Sequence, residues 1–239
     1  MEDIDAIAML QDPVRRRLYE YVAAQGREVG RNEAAEAVGV ARTLAAHHLD
    51  KLAEVGLLES GSRRLTGRSG PGAGRPAKVY TRARAERSVS LPARDYRTVA
   101  ELLAEAAERA GLDAELCAAA RRRGEALRGS AAPCGGLEEA VRVLADRGYE
   151  PHLEDAGSRE GVQAPEGAEG TAEAASRVVR MRNCPFHAVS ERFPPLVCGM
   201  NLALLEGLLG AGDGPVRARM DARPGECCVV VEVSKNNDD

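Results

Sequence analysis

The sequence predicts an α+β fold, and three observations carry that prediction. Apolar residues recur at helical spacing in several separate segments, beginning with DPVRRRLYEYVAA. Short extended runs such as AKVYTRA, SRVVRMRN and CCVVVEV punctuate them. A Gly- and Arg-rich stretch, GSRRLTGRSGPGAGRP, joins two extended pieces and can be neither helix nor regular strand. Aromatic residues are only 3% of the chain and Trp is absent, so the core must be built from Leu, Val and Ala.

In the first segment Asp12 is a cap, Pro13 suits the first turn, and Val14, Leu18, Tyr21 and Val22 form an apolar face that Gly26 ends. A short extended piece at Glu28–Val29 precedes a second helix capped by Asn32, with Ala34, Ala35 and Val38 buried and Gly39 at the turn. The third helix runs from about Ala41 to Val55, packing through Leu44, Leu49, Leu52 and Val55. Gly56 ends it and Leu57–Leu58 open a strand. Helix, turn, helix, strand, basic loop and strand in this order describe a winged helix-turn-helix.

Such a unit reads DNA when its second helix fits the major groove and presents side chains to base edges. Arg42, Thr43, Ala46 and His47 are placed to do so: Arg42 toward a guanine, Thr43 toward a phosphate or thymine methyl, Ala46 allowing close approach. His48 is expected to be partly buried and to orient the helix. Arg63, Arg64, Arg68, Arg75 and Lys78 on the wing can reach phosphates or the adjacent minor groove. The net charge of −4 hides this: between Gly61 and Arg87, eight Arg and Lys residues face Glu86 alone, a local +7.

Beyond Pro92 the chain becomes acidic and helical. Tyr96, Val99, Leu102, Leu103, Ala106 and Ala110 mark a long amphipathic helix, followed by helices near Ala114–Leu127 and Leu137–Arg147. YEPHLE, SRVVRMRN, VRARMDA and CCVVVEV read as strands, LVCGMNLALLEGLL as a helix, and Asp155–Ala175 as a loop. The expected domains are a winged helix-turn-helix over 1–87, a helical linker and dimerisation region over 88–130, and an α+β cysteine-containing sensor domain over 131–239.

Four of the six cysteines, Cys184, Cys198, Cys227 and Cys228, lie in that last region. Thirteen residues separate Cys184 from Cys198, and twenty-eight more lie before Cys227, so no CxxC pair exists. Widely spaced thiolates suit an iron–sulfur cluster, either 4Fe–4S or 2Fe–2S, while a Cys184–His187 pair keeps zinc open. Adjacent residues alternate faces in a strand, so one of Cys227 and Cys228 is expected to face the site. The fourth ligand is then His187, the second cysteine of the pair, Glu226, a solvent species or nothing. The bland reading is that these thiols are small buried apolar groups. Cys117 and Cys134 read as structural, and His152 as structural or exposed.

The strings DPVRRRLYEYV, EAAEAVGVARTLAAHHLDKLAEVGLLE and GRSGPGAGRPAKVY resemble an ArsR-like family of bacterial regulators that includes SufR-type iron–sulfur-cluster repressors. RNCPFHAV, VCGMNLALLEGLL and GECCVVVEV are similar to it as well, so the likeness spans most of the chain and weakens over the 155–175 loop. The resemblance implies a homodimer on an inverted-repeat double-stranded DNA operator, acting as a repressor or an activator, with a repressor the expectation. It also implies that the helix after Asp95 helps dimerisation and that three or four C-terminal cysteines hold the cluster. The alternative is a winged-helix regulator responding to zinc or a small organic effector, with structural cysteines.

An enzyme is not expected. No Ser/His/Asp or Cys/His arrangement has supporting context, and the GPGAG run sits among arginines rather than between a strand and a helix. A protein-interaction module with a degenerate wing would have lost the basic residues, which are present. No apolar run reaches the roughly 18 residues that span a bilayer, and the start, MEDIDAIAML, lacks a signal-peptide pattern. A cytoplasmic protein without a membrane partner is the expectation.

Overall fold

Described in a computed structural model are residues 2–63, 76–155, 177–210, 212 and 214–234, which fall into two units, Met1–Arg94 and Asp95–Asp239. Arg64, Arg68 and Arg75 of the expected wing, and the expected loop beyond Asp155, lie outside the described residues.

The first unit begins with α1 (Glu2–Ala8) and a 3₁₀ turn (Met9–Gln11), neither anticipated because MEDIDAIAML offers little apolar periodicity. Ala6 is nevertheless buried, and Arg16 Nε–H donates to the Leu10 carbonyl at 2.9 Å to hold the turn. Helix α2 (Pro13–Gln25) starts as expected: the Asp12 carboxylate accepts the Arg15 N–H at 2.9 Å. Leu18 and Val22 are buried, and Gly26 ends the helix at φ +62°.

Strand β1 (Val29–Gly30) leads straight into α3 (Arg31–Val38). The cap is therefore Gly30, not Asn32: pairing of β1 keeps Gly30 extended up to the helix start, which leaves Asn32 inside the first turn. Helix α4 (Arg42–Glu54) follows, then β2 (Leu58–Arg63) and β3 (Ala77–Arg82). The sheet order is β1-β3-β2, all antiparallel, with Leu58 opposite Arg82 and Arg63 opposite Ala77. Leu18, Val22, Val29, Ala34, Ala45, Leu49, Leu52, Leu58 and Tyr80 form one core.

The second unit contains α5 (Tyr96–Ala110), α6 (Asp113–Arg128), α7 (Leu137–Ala145), β4 (Pro151–Asp155), β5 (Arg177–Met181), α8 (His187–Ser190), α9 (Pro194–Leu209), β6 (Val216–Met220) and β7 (Val229–Val233). The segment 88–130 is thus divided, its two long helices belonging to the second unit. The sheet order is β4-β5-β7-β6, again antiparallel throughout. Val179, Met181, Val229 and Val231 of the sheet pack against Leu137, Ala140 and Leu144 of α7 and against Leu205, Leu208 and Leu209 of α9.

Helices α6 and α9 meet backbone to backbone. A Cβ on Gly124 would lie 2.2 Å from the Leu204 carbonyl oxygen, and one on Gly207 2.2 Å from that of Arg121. Helix α5 packs through Ala104 and Ala107 on a patch of Phe193, Leu196 and Val197. Its Tyr96, Val99, Leu102 and Leu103 stay exposed. Among the described residues no helix is long and apolar enough to cross a membrane.

In α4, His48 is 7% exposed and accepts the Arg15 Nε–H at its Nδ1, 3.3 Å away. Burial pushes its pKa below the ordinary 6.5, outweighing the nearby Asp12 carboxylate.

Two predictions follow from this packing. Gly124→Ala and Gly207→Ala each force α6 and α9 apart and should cost about 1–3 kcal/mol in urea unfolding. Gly199→Ala, whose new Cβ would meet only Cys117 Sγ at 3.7 Å, should be neutral or stabilising by up to about 1 kcal/mol. For His48, stability is fully present above pH 6.5 and is lost as pH falls, because the unfolded chain takes up the proton first. His48→Gln should therefore flatten the decline in unfolding midpoint between pH 7 and pH 5 relative to the wild type.

Candidate nucleic-acid interface and cysteine centre

The turn between α3 and α4 needs a left-handed residue, and Gly39 supplies it at φ +71°. Its N–H donates to Glu36 O at 3.1 Å, and that of Val40 to Ala35 O at 3.0 Å. Arg17 closes the end of α3 from α2 by donating to the Val38 carbonyl. Helix α4 then buries Ala45, His48, Leu49 and Leu52, an i, i+3, i+4, i+7 stripe.

Arg42, Thr43 and His47 are exposed, and Ala46 is half-buried. Leu44, expected in the packing face, is 42% exposed instead. The stripe is centred one position later, so small Ala45 takes the close contact with the core. Leu44 thereby joins the outward surface, where an apolar side chain can meet a thymine methyl. Sequence reasoning missed it because a leucine in an amphipathic helix is assigned to the core by default.

Asp50 ties α4 to the rest of the unit. Its carboxylate accepts from Lys78 Nζ at 2.6 Å, Tyr80 Oη at 2.7 Å and Arg31 Nη2 at 2.7 and 3.0 Å. Arg31 Nε–H also donates to Tyr80 Oη at 2.9 Å. Burial pushes the Asp50 carboxyl up, but these donors outweigh it and hold it below the usual carboxylate range. Burial and the Asp50 contact push the Tyr80 hydroxyl up to about 12. Helices α3 and α4 and the wing strand β3 are thereby fixed together.

A groove of about 1190 Å³ runs between α3, the start of α4 and the hairpin β2–β3. The structure brings Arg42, Arg63 and Lys78 together on its walls, with Arg27 and Arg31 as basic residues not singled out from the sequence. Lys78 and Arg31 are engaged by Asp50, Arg63 pairs with Glu28 at 3.3 Å, and Arg27 with Glu33 at 2.5 Å. Among the described residues, Arg42 is the basic side chain of the groove that makes no ion pair. Thr43, Ala46 and His47 lie on α4 outside the groove wall.

In the second unit, three segments deliver four cysteines to one place. Cys184 lies in the turn between β5 and α8, Cys198 in the first turns of α9, and Cys227–Cys228 just before β7. Cys227 lies close enough to Cys184 and Cys228, and Cys228 to Cys198, for their side chains to perturb one another's ionisation. The alternation expected of Cys227 and Cys228 does not apply, because the strand begins at Val229 and both residues precede it. The Cys227 N–H donates to Met181 O at 2.9 Å, and the Cys228 carbonyl accepts from Asp221 N at 2.8 Å, so the pair is pinned on both sides.

The Cys184 and Cys228 thiols are pushed up, chiefly because each donates to Cys227 and also by burial. Cys227 is pulled down because it accepts from Cys184 and Cys228, with Asn201 and the Val229 N–H adding to the effect against burial. Asn201 is itself buried: its Nδ2–H donates to Cys227 Sγ at 3.4 Å, and its Oδ1 accepts from Tyr149 Oη at 2.6 Å.

His187 is not brought to the thiols. Its side chain is exposed and sits 3.3 Å from Glu191, and only its backbone N–H reaches Cys184, donating to the carbonyl at 3.0 Å. Glu226 faces Arg180 at 3.5 Å and His152 at 3.9 Å. Cys134 is buried in the core. As the side chains stand, no three His, Cys, Asp or Glu residues among those described enclose a point where a metal ion would sit. All six cysteines are free thiols. Cysteine thiolates are the donor type that iron–sulfur clusters and zinc take, so the chemistry of the four residues fits either group.

Residues 10–61 match a family of helix-turn-helix domains. No curated protein and no solved structure matches the chain. The family match spans α2, α3, α4 and the start of the wing, and so reaches the DNA-reading unit alone. The chain carries a helix-turn-helix domain of the kind found in DNA-binding transcription regulators.

Proposed function

We propose that the protein is a sequence-specific transcription regulator, acting as a repressor, whose C-terminal unit senses an iron–sulfur cluster or its redox state. The observation that carries this reading is the convergence of Cys184, Cys198, Cys227 and Cys228 from three segments in a chain that also holds a helix-turn-helix domain. These four residues would hold the cluster, and His187 is left out because its imidazole faces Glu191. A 4Fe–4S or 2Fe–2S cluster, when bound, supplies one-electron redox chemistry and sensitivity to oxidants. Zinc on the same four thiolates is the second reading, favoured by the four-sulfur donor count.

The DNA surface is the exposed start of α4 together with the basic groove. Arg42 is the natural base reader, since it lines the groove without an ion-pair partner among the described residues. Arg63 is held by an exposed pair to Glu28, which is weak enough for a phosphate to displace. Arg64, Arg68 and Arg75 extend the same wing in sequence.

Two such units are needed for an inverted-repeat operator, and the homodimer is proposed to form through α5. Tyr96, Val99, Leu102 and Leu103 lie on one exposed face of it, while its other face rests on Phe193, Leu196 and Val197 around the start of α9. Cys198 is in that same part of α9, so a change in what the thiols bind bears on the support of the dimer face. Regulation then requires a cofactor with different affinities for the DNA-binding and non-binding arrangements.

Anaerobic purification with visible absorption and iron, sulfide and zinc analysis should show iron and sulfide, lost on Cys227→Ser and Cys198→Ser. Zinc alone would select the second reading, and a colourless metal-free protein that still regulates normally in cells would remove both. On operator DNA, Arg42→Ala and His47→Ala should each lower the preference over unrelated sequence by about 10-fold to 100-fold. Neutralising Arg64 and Arg68 should weaken binding to every sequence alike and reduce the salt slope by about 0.9 per lost phosphate contact.

A further inference from the structure

We propose that Asn201 is the positioning residue of the cysteine centre: Tyr149 locks its amide so that the N–H, not the carbonyl, faces the sulfur of Cys227. The inference rests on the metal- or cluster-binding reading of the four cysteines and names a residue that reading does not include.

Three side chains form the relay, and each is at most 2% exposed: Tyr149, Asn201 and Cys227. An amide this deeply buried must satisfy both its ends within the protein. The Tyr149 hydroxyl donates to Asn201 Oδ1 at 2.6 Å. With the carbonyl end so occupied, Nδ2 is turned to Cys227 Sγ at 3.4 Å. This orientation suits a sulfur that carries no proton. A neutral thiol would be served equally well by the flipped amide, accepting S–H at its oxygen; a metal-bound thiolate is served only by the donor.

The framework supports the same geometry. Asn201 lies one turn beyond Cys198 on α9, so one helix carries a thiol and the group that orients another. Tyr149 follows α7 directly, where its N–H donates to Leu144 O at 3.3 Å and its carbonyl accepts from Asn183 N at 3.2 Å, next to Cys184. Hydrogen bonds to ligating sulfurs are among the levers by which a protein sets the affinity and potential of a thiolate-bound metal.

The test uses the full chain with Asn201→Asp, Asn201→Ala and Tyr149→Phe, and cobalt(II) as probe alongside anaerobic reconstitution with ferrous iron and sulfide. In the metal-free protein, the side-chain amide protons of Asn201 should exchange with solvent at least tenfold faster in Tyr149→Phe and in Cys227→Ala than in the wild type. The variants should then bind cobalt with the wild-type stoichiometry but a Kd raised about 10-fold to 100-fold and a shifted sulfur-to-cobalt charge-transfer band. Should Asn201→Ala fail to fold, Tyr149→Phe, which leaves the amide in place, decides the matter by the same two readouts. Unchanged amide exchange overturns the relay. Wild-type cobalt affinity and band position in the variants overturn the positioning role. If the wild type itself takes up neither cobalt nor iron and sulfide, the metal-binding reading fails, and the role built on it falls too.

Discussion

The second unit depends on a contact in which there is no room for a side chain. Gly124 and Gly207 let α6 and α9 approach until a methyl group on either would strike the other helix's carbonyl oxygen. That approach puts the two backbones in contact, where ridges of ordinary side chains would hold the axes about 8–10 Å apart. What α9 carries is placed by the same contact. Cys198 and Asn201 project from it toward the cysteine centre, Leu205, Leu208 and Leu209 cover the sheet, and Leu196 and Val197 support α5. One close helix pair therefore registers the sheet, the thiols and the exposed face of α5 against each other.

The loop that brings Cys227 and Cys228 is held by a different device. Arg180 on β5 is 1% exposed and lies against three carboxylates: Asp221 at 2.6 Å, Glu154 at 3.3 Å and Glu226 at 3.5 Å. It also donates to the Asp221 carbonyl at 3.2 Å, so one guanidinium grips the connection between β6 and β7 near both its ends. A buried cation surrounded in this way adds little net stability, since desolvation consumes most of the Coulombic gain. Its effect is on conformation: the connection cannot move without uncovering a charge. Asp50 does the reverse job in the first unit, where one carboxylate gathers Arg31, Lys78 and Tyr80. In both units a single charged group fixes the segment that presents the functional side chains.

This pattern explains what could be read from the sequence. Helix α2, the Asp12 cap, the Gly39 turn and the β2–β3 pairing follow from local rules, and each is found. Errors arose where tertiary contact overrules the local rule. Leu44 and Ala45 are neighbours in sequence but about 100° apart on a helical wheel, and the small Ala45, not the larger Leu44, falls on the stripe with Leu49 and Leu52. Asn32 is a good cap by composition, but the pairing of β1 moves the helix start past it. Cys227 and Cys228 would alternate faces in a strand; because pairing of β7 starts at Val229, they do not. Asn201 carried no signal, since a lone Asn in an apolar helix gains meaning only when Tyr149 and Cys227, distant in sequence, are seen around it.

Charge shows the same difference between sequence and space, and here it changes the chemistry of DNA contact. The +7 counted between Gly61 and Arg87 includes Arg63, Lys78 and Arg87, which face Glu28, Asp50 and Asp3 from outside that interval. A phosphate approaching Lys78 must compete with a carboxylate 2.6 Å away, and displacing it would loosen α4 from β3. Lys78 is thus more costly to recruit than Arg63, whose exposed partner is readily exchanged. Arg42 loses no ion pair to the described residues when it turns to a base edge. On the proposed function the reading surface therefore concentrates on the first turn of α4, while Arg31 and Lys78 behind it are held by Asp50.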